Sequence, residues 1–125
     1  MDALVAPGKA DLEMAAILAQ GSAVPWGVCY HVQQAVEKAM KALTLARGDD
    51  PPFTHNLVRL NRGLTPAPFG SDEEERLADL SVWSIKQRYP ADQPELTADD
   101  ADRALQFGRL ALERIRALLV TKAPA

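Results

Sequence analysis

Between Val28 and Ala46 the chain repeats apolar residues at a period that suits an α-helix and not a strand. Wound at roughly 100° per residue, Val28, Val32, Ala35, Val36, Ala39, Met40, Ala42 and Leu43 fill one half of the circumference. His31, Gln33, Gln34, Glu37, Lys38 and Lys41 fill the other half, and only Leu45 falls on the wrong side. A helix divided in this way is a core wall whose outer face is dense in hydrogen-bonding groups. Most helices of such length are marginal alone, so the rest of the chain must supply neighbours for the apolar half.

Those neighbours are legible. A first helix is expected from near Pro7 or Gly8, with Leu12, Ala15, Ala16 and Ala19 inward, Met14, Ile17 and Leu18 alongside, and Gly21 as its stop. After a short connection at 22–25, Pro25 suits the entry of the second helix, which runs to about Arg47. Gly48 can take the left-handed conformation that ends it, and Asp49-Asp50-Pro51-Pro52 cannot continue it. A short helix follows, with Thr54 as N-cap, Leu57 and Leu60 as anchors and Gly63 as stop. Beyond the proline-containing loop at 65–70, Ser71-Asp72-Glu73-Glu74 reads as a capping box whose acids face the positive end of the helix dipole.

The helix from Asp72 to about Gln87 spreads Leu77, Leu80, Ala78, Val82, Trp83 and Ile85 around more than half its circumference. That pattern predicts contact on two sides, with the bundle and with a second chain. Tyr89-Pro90 ends it, and 91–96 is a loop. The last helix opens with Thr97 as cap and acids in its first turn. It turns Ala101, Ala104, Leu105, Gly108, Leu112, Ile115 and Leu119 inward, flanked by Phe107, Ala111 and Leu118. Residues 122–125 should fray. No segment alternates with period two, so the expected fold is all-α: an antiparallel up-and-down bundle of four long helices plus one short one. Residues 1–125 form a single domain, with an ordered core over about 8–120.

Composition narrows the function classes. A net charge of −3 argues against strong non-specific nucleic-acid binding. No apolar stretch approaches the ~20 residues that span a bilayer, and Met1-Asp2-Ala3-Leu4 has no basic leader, so neither secretion nor membrane insertion is indicated. The single cysteine, Cys29, fits a cytoplasmic location. His31, His55 and Cys29 form no i, i+4 pair, which leaves no expected metal site. Neither GxGxxG, GxxxxGK[ST] nor GxSxG occurs, so no cofactor is expected. Asp72, Glu73, Glu74 and Glu75 are better explained as helix-end charge than as acid–base groups.

The ridge His31, Gln34, Lys38, Lys41 has 3-4-3 spacing. It reads either as a solvated face with a Glu37–Lys41 pair contributing only ~0.2–0.5 kcal/mol, or as an anion or nucleotide surface. The second reading rests on two ammonium groups one turn apart, amide groups, and an imidazole that titrates near neutral pH. His55, beside a helix N-terminus, either adds a donor there or holds its loop by hydrogen bonding.

Several pieces of the chain resemble the HEPN family (higher eukaryotes and prokaryotes nucleotide-binding domains). Ala10-Asp11-Leu12 with Ala15 resembles the first-helix pattern, and the run from Tyr30 to Leu43 resembles the family's distinctive QQAxEKxxKA-type helix. Pro51-Pro52-Phe53-Thr54-His55-Asn56-Leu57 resembles its Thr-His turn, and Arg88-Tyr89-Pro90 its "RYP" segment. The resemblance implies an all-α bundle, usually a homodimer, often encoded beside a minimal nucleotidyltransferase in a toxin–antitoxin-like pair. Many members are metal-independent RNases using an Arg-x(4–6)-His motif at a dimer cleft. Here seven residues separate Arg47 from His55, Arg88 has no histidine after it, and the Arg-x-His-x-Tyr variant is also missing.

These readings converge on a non-catalytic binding module for nucleotide or phosphate ligands, or for a nucleotidyltransferase partner. Its contacts are expected at His31, Gln34, Lys38, Lys41, His55 and Arg88. The alternative is a metal-independent RNase with a non-standard site. There His31 or His55 acts as general base and Arg88 stabilises phosphorane charge.

Overall fold

A computed structural model describes residues 9–17, 25–86 and 97–121, without the side chains of Trp26, residues 82–86 and Thr121. Five helices and no strand occur among them. They are α1 (9–17), α2 (Pro25–Ala46), α3 (Leu57–Arg62), α4 (Glu74–Lys86) and α5 (Ala98–Thr121). The architecture is the expected all-α up-and-down bundle. The expected start of α1 at Pro7 or Gly8, its stop at Gly21, the end of α4 at Tyr89-Pro90, the loop at 91–96 and the fraying terminus lie outside the described residues.

Helix α2 is the axis of the molecule. Its eight inward residues from Val28 to Leu43 are all buried, while Leu45 stays exposed as the periodicity requires. It packs along α5 and α4 and touches α3. Burial of its Val, Leu and Met side chains contributes roughly 1.5–3 kcal/mol each. At its C-terminus Gly48 has φ 88° and donates to Leu45 O at 3.0 Å. Asp49 N then reaches Thr44 O at 3.1 Å. This is a Schellman closure, in which the left-handed glycine turns the chain so that two terminal carbonyls find donors.

Close approach of α2 and α5 depends on Gly108. A Cβ built there would lie 2.7 Å from Val32 Cγ1 and 3.0 Å from Leu12 Cδ1, so three helices meet at one missing methyl group. The inward face of α5 is buried through Leu119 as expected, with Leu118 partly covered. At the start of α5, Thr97 Oγ1 accepts from Asp100 N at 3.1 Å and Asp100 Oδ2 accepts from Thr97 N at 2.9 Å. The pair is a reciprocal capping box.

Two caps differ from expectation. The N-cap of α3 is Asn56, whose side chain accepts from Arg59 N at 3.1 Å; Thr54 instead accepts from Asn56 N at 3.0 Å. Thr54 thus organises the turn that delivers the cap, and the helix starts later than its threonine suggests. The box at Ser71 is also displaced by one residue. Glu73 Oε1 reaches back to Gly70 N at 3.1 Å, and Gly70 O accepts from Glu73 N and Glu74 N. Glycine has no side chain with which to reciprocate, so the glutamate makes half a box on its own.

The loop between α3 and α4 is pinned from inside. Asn61, 1% exposed, donates to Phe69 O at 2.9 Å and accepts from Phe69 N at 3.0 Å. Arg114 reaches over from α5, lies 5.1 Å above the Phe69 ring, and donates to Pro68 O and Glu73. These bonds hold Phe69 against Phe107 with ring centroids 5.7 Å apart. Among the described residues no helix is long and apolar enough to cross a membrane.

Candidate functional site

The polar half of α2 is not one solvated face. Gln33 is 0% exposed and Glu37 6%, which corrects the expectation that all six polar residues point outward. The reason is the segment after the Pro-Pro turn, which folds back over this half of the helix. Gln33 Nε2 donates to Glu37 Oε1 at 2.9 Å and to the His55 carbonyl at 3.3 Å. The Glu37 carboxylate also pairs with His55 Nδ1 at 2.8 Å and Lys41 Nζ at 3.0 Å. Gln34 Nε2 completes the cluster by donating to Gln33 Oε1 at 2.8 Å.

A second cluster forms where α1 crosses the same helix. Asp11 Oδ1 lies 3.1 Å from His31 Nδ1, and its Oδ2 accepts from the Lys38 ammonium. The Tyr30 and His31 rings meet edge to face, with centroids 5.4 Å apart. His31, Gln34, Lys38, Lys41 and His55 therefore all lie in one band along α2, and Arg88 lies outside the described residues.

Each cation of the band already has an acid. Asp11 and Glu37 balance Lys38 and Lys41, so with neutral imidazoles the band is formally uncharged. Burial works to raise the Glu37 pKa, but the hydrogen bonds from Gln33, His55 and Lys41 outweigh it and hold the carboxyl below its ordinary range. The anion is kept by donors, not by solvent. His55 remains 62% exposed at its side chain. With Nδ1 turned to Glu37, its Nε2 edge is left for a ligand.

Of the three groups that organise this band, the sequence offered Glu37 as the i, i+4 partner of Lys41, a pair the structure contains, but singled out neither Gln33 nor Asp11 as a contact. Glu37 had a signal in its spacing, since Gln33 and Lys41 flank it by one turn on either side. Asp11 had none, because its partners lie 20 and 27 residues away. Elsewhere, Cys29 is sealed in the core, where burial and then the charge of Asp100 push its thiol up to about 11. No three His, Cys, Asp or Glu side chains come together for a metal ion among the described residues.

Comparison with known proteins bears on this arrangement. The HEPN domain family model matches residues 1–118. The chain superposes on the crystal structure of TT1696 from Thermus thermophilus with a TM-score of 0.79 and 25% identity, covering 93% of this chain and 95% of that one. It superposes on ST0689, an archaeal HEPN homologue, with a TM-score of 0.76 over 94% of this chain and 96% of that one. At 23% identity that second likeness speaks for the fold alone. No curated protein matches the sequence.

Proposed function

This chain belongs to the HEPN domain family, and from that premise we propose that it is a non-catalytic binding module whose α2 band receives a nucleotide or another phosphate-bearing ligand. One observation carries the reading: His31, Gln34, Lys38, Lys41 and His55 share a single band in which two ammonium groups are held in place by Asp11 and Glu37. A phosphate entering there exchanges part of each lysine's existing ion pair for a new one. Affinity is therefore modest and falls with added salt. The homodimer and the minimal nucleotidyltransferase partner of a toxin–antitoxin-like pair belong to the same proposal, since the family resemblance motivates both; the cytoplasmic location joins it on the single cysteine, Cys29.

Titration calorimetry with ATP, GTP and their non-hydrolysable analogues tests the site. Wild type should give saturable heat that the Lys38→Ala/Lys41→Ala variant loses. Heat that is absent, or equal in both proteins, removes the band as a nucleotide site.

The second reading, a metal-independent RNase, draws on the Glu37–His55 contact. A carboxylate on Nδ1 fixes the tautomer and orientation of an imidazole whose Nε2 can then act as a general base. His31 with Asp11 is built the same way, and Arg88 would supply charge for the phosphorane. RNA cleavage that survives EDTA and disappears in His31→Ala and His55→Ala supports this reading. RNA left intact after long incubation at high protein concentration disposes of it.

A further inference from the structure

Helices α4 and α5 both pack along α2, yet make little direct approach to one another. Between them runs an open groove of about 840 Å³. Its floor is apolar, formed by Leu80, Ala104, Phe107 and Leu110, and Leu110 is 42% exposed. Its walls carry the carboxylates of Asp72, Glu75, Asp79 and Asp100.

The two arginines of the groove form no ion pair with Asp72, Glu75 or Asp79, although the charge of Arg103 acts on Asp100. Arg103 is ion-paired to Asp99, which lies off the groove. Arg76 sits with its guanidinium 5.9 Å from the centre of the Phe107 ring. Among the described residues Asp72, Glu75 and Asp79 have no hydrogen-bond or ion-pair partner. The Asp79 carboxyl is pushed up by burial, and then by the charges of Glu75 and Asp100. The groove's four carboxylates outnumber its two guanidinium groups, and a further cation would relieve this repulsion.

We propose that the α4/α5 groove is a docking slot for a basic amphipathic helix of a partner protein. Glu75 and Asp79 are four apart on the α4 wall, and Asp72 precedes them in the turn that leads into the helix. A helix laid in the slot with Lys or Arg at the same spacing meets all three in turn. The neighbouring apolar ridge of that helix covers Leu110, the exposed apolar side chain of the slot, beside the already buried Leu80 and Phe107. Complementary charge selects the partner. The slot is lined by none of the residues assigned to the α2 band, so the two proposals stand or fall separately.

The probe is a fluorescent amphipathic Leu–Lys peptide about 18 residues long, with a Leu–Glu peptide of the same pattern as its control. Fluorescence anisotropy should show saturable binding of the Leu–Lys peptide alone. In Asp72→Lys/Asp79→Lys the affinity should fall about tenfold or more. Asp102→Lys/Glu113→Lys, which changes net charge equally at exposed positions off the groove, should retain wild-type affinity, as should Lys38→Ala/Lys41→Ala. Asp72→Asn/Asp79→Asn removes the charge without reversal and should give an intermediate affinity; circular dichroism establishes that each variant is folded. Three outcomes overturn the proposal. One is no binding to wild type, and another is equal loss in the groove and off-groove variants. The third is dissociation of a wild-type dimer by the groove substitutions in sedimentation, which makes the slot an interface between copies of this chain.

Discussion

Replacing Glu37 with glutamine removes one charge and keeps the shape of the side chain, so it isolates what the anion contributes to the fold. In wild type the carboxylate receives the amide of fully buried Gln33 at 2.9 Å, the His55 ring at 2.8 Å and the Lys41 ammonium at 3.0 Å. A glutamine must turn its own NH2 toward at least one of these donors. Losing a buried charge-assisted hydrogen bond costs about 1.5–3 kcal/mol, while the half-exposed partners contribute only ~0–1 kcal/mol each. The expected loss is about 2–4 kcal/mol, or roughly 10 °C in Tm for a domain of this size.

The pH dependence separates this cause from a packing fault. The Glu37 pKa is depressed in the folded chain below its ordinary 4.5, so the folded state gives up this proton more readily than the unfolded one. The stabilisation is therefore complete above pH 4.5 and is lost as pH falls through the folded value. Thermal melts of wild type and Glu37→Gln should differ most at neutral pH and converge below pH 4.5. A gap that stays constant down to about pH 3.5, or no gap at neutral pH, refutes the reasoning.

Three further outcomes are expected. Asn61→Leu strands the Phe69 N–H and carbonyl it now serves; urea denaturation should show a loss of about 2–4 kcal/mol. Gly108→Ala gains about 1 kcal/mol of helix propensity but places its methyl 2.7 Å from the stiff Val32 side chain. Overpacking of about 1–3 kcal/mol prevails, and a double-mutant cycle with Val32→Ala should show the two sites coupled. Cys29, buried with its thiol at about 11, should resist a disulfide reagent at about pH 8 in the native protein and react once guanidinium unfolds it.

The apolar faces of α2 and α5 could be read from the chain because a buried stripe repeats at the helical period, and every residue assigned to the inward half of α2 is buried. Gln33 and Glu37 defeat that logic. A polar residue at an outward phase reads as solvated unless something distant covers it, and the covering group is the backbone of His55. The displaced caps at Asn56 and Gly70 have a more local origin. Several residues in each turn can serve as the cap, and tertiary bonds such as Leu57 N to Ser81 Oγ at 2.9 Å help fix the helix start. The ridge of candidate contacts and its Glu37–Lys41 pair were visible in their spacing; Asp11 was not, because it arrives from another helix.

That arrival gives α1 a role beyond covering the core. Asp11 is the counterweight to both His31 and Lys38, and it is carried by a different helix from the ridge it steadies. Whatever draws residues 9–17 aside takes the anion with them and leaves the upper end of the ridge electropositive. Under the proposed function, a looser seat for α1 raises phosphate affinity with no change in any residue of α2.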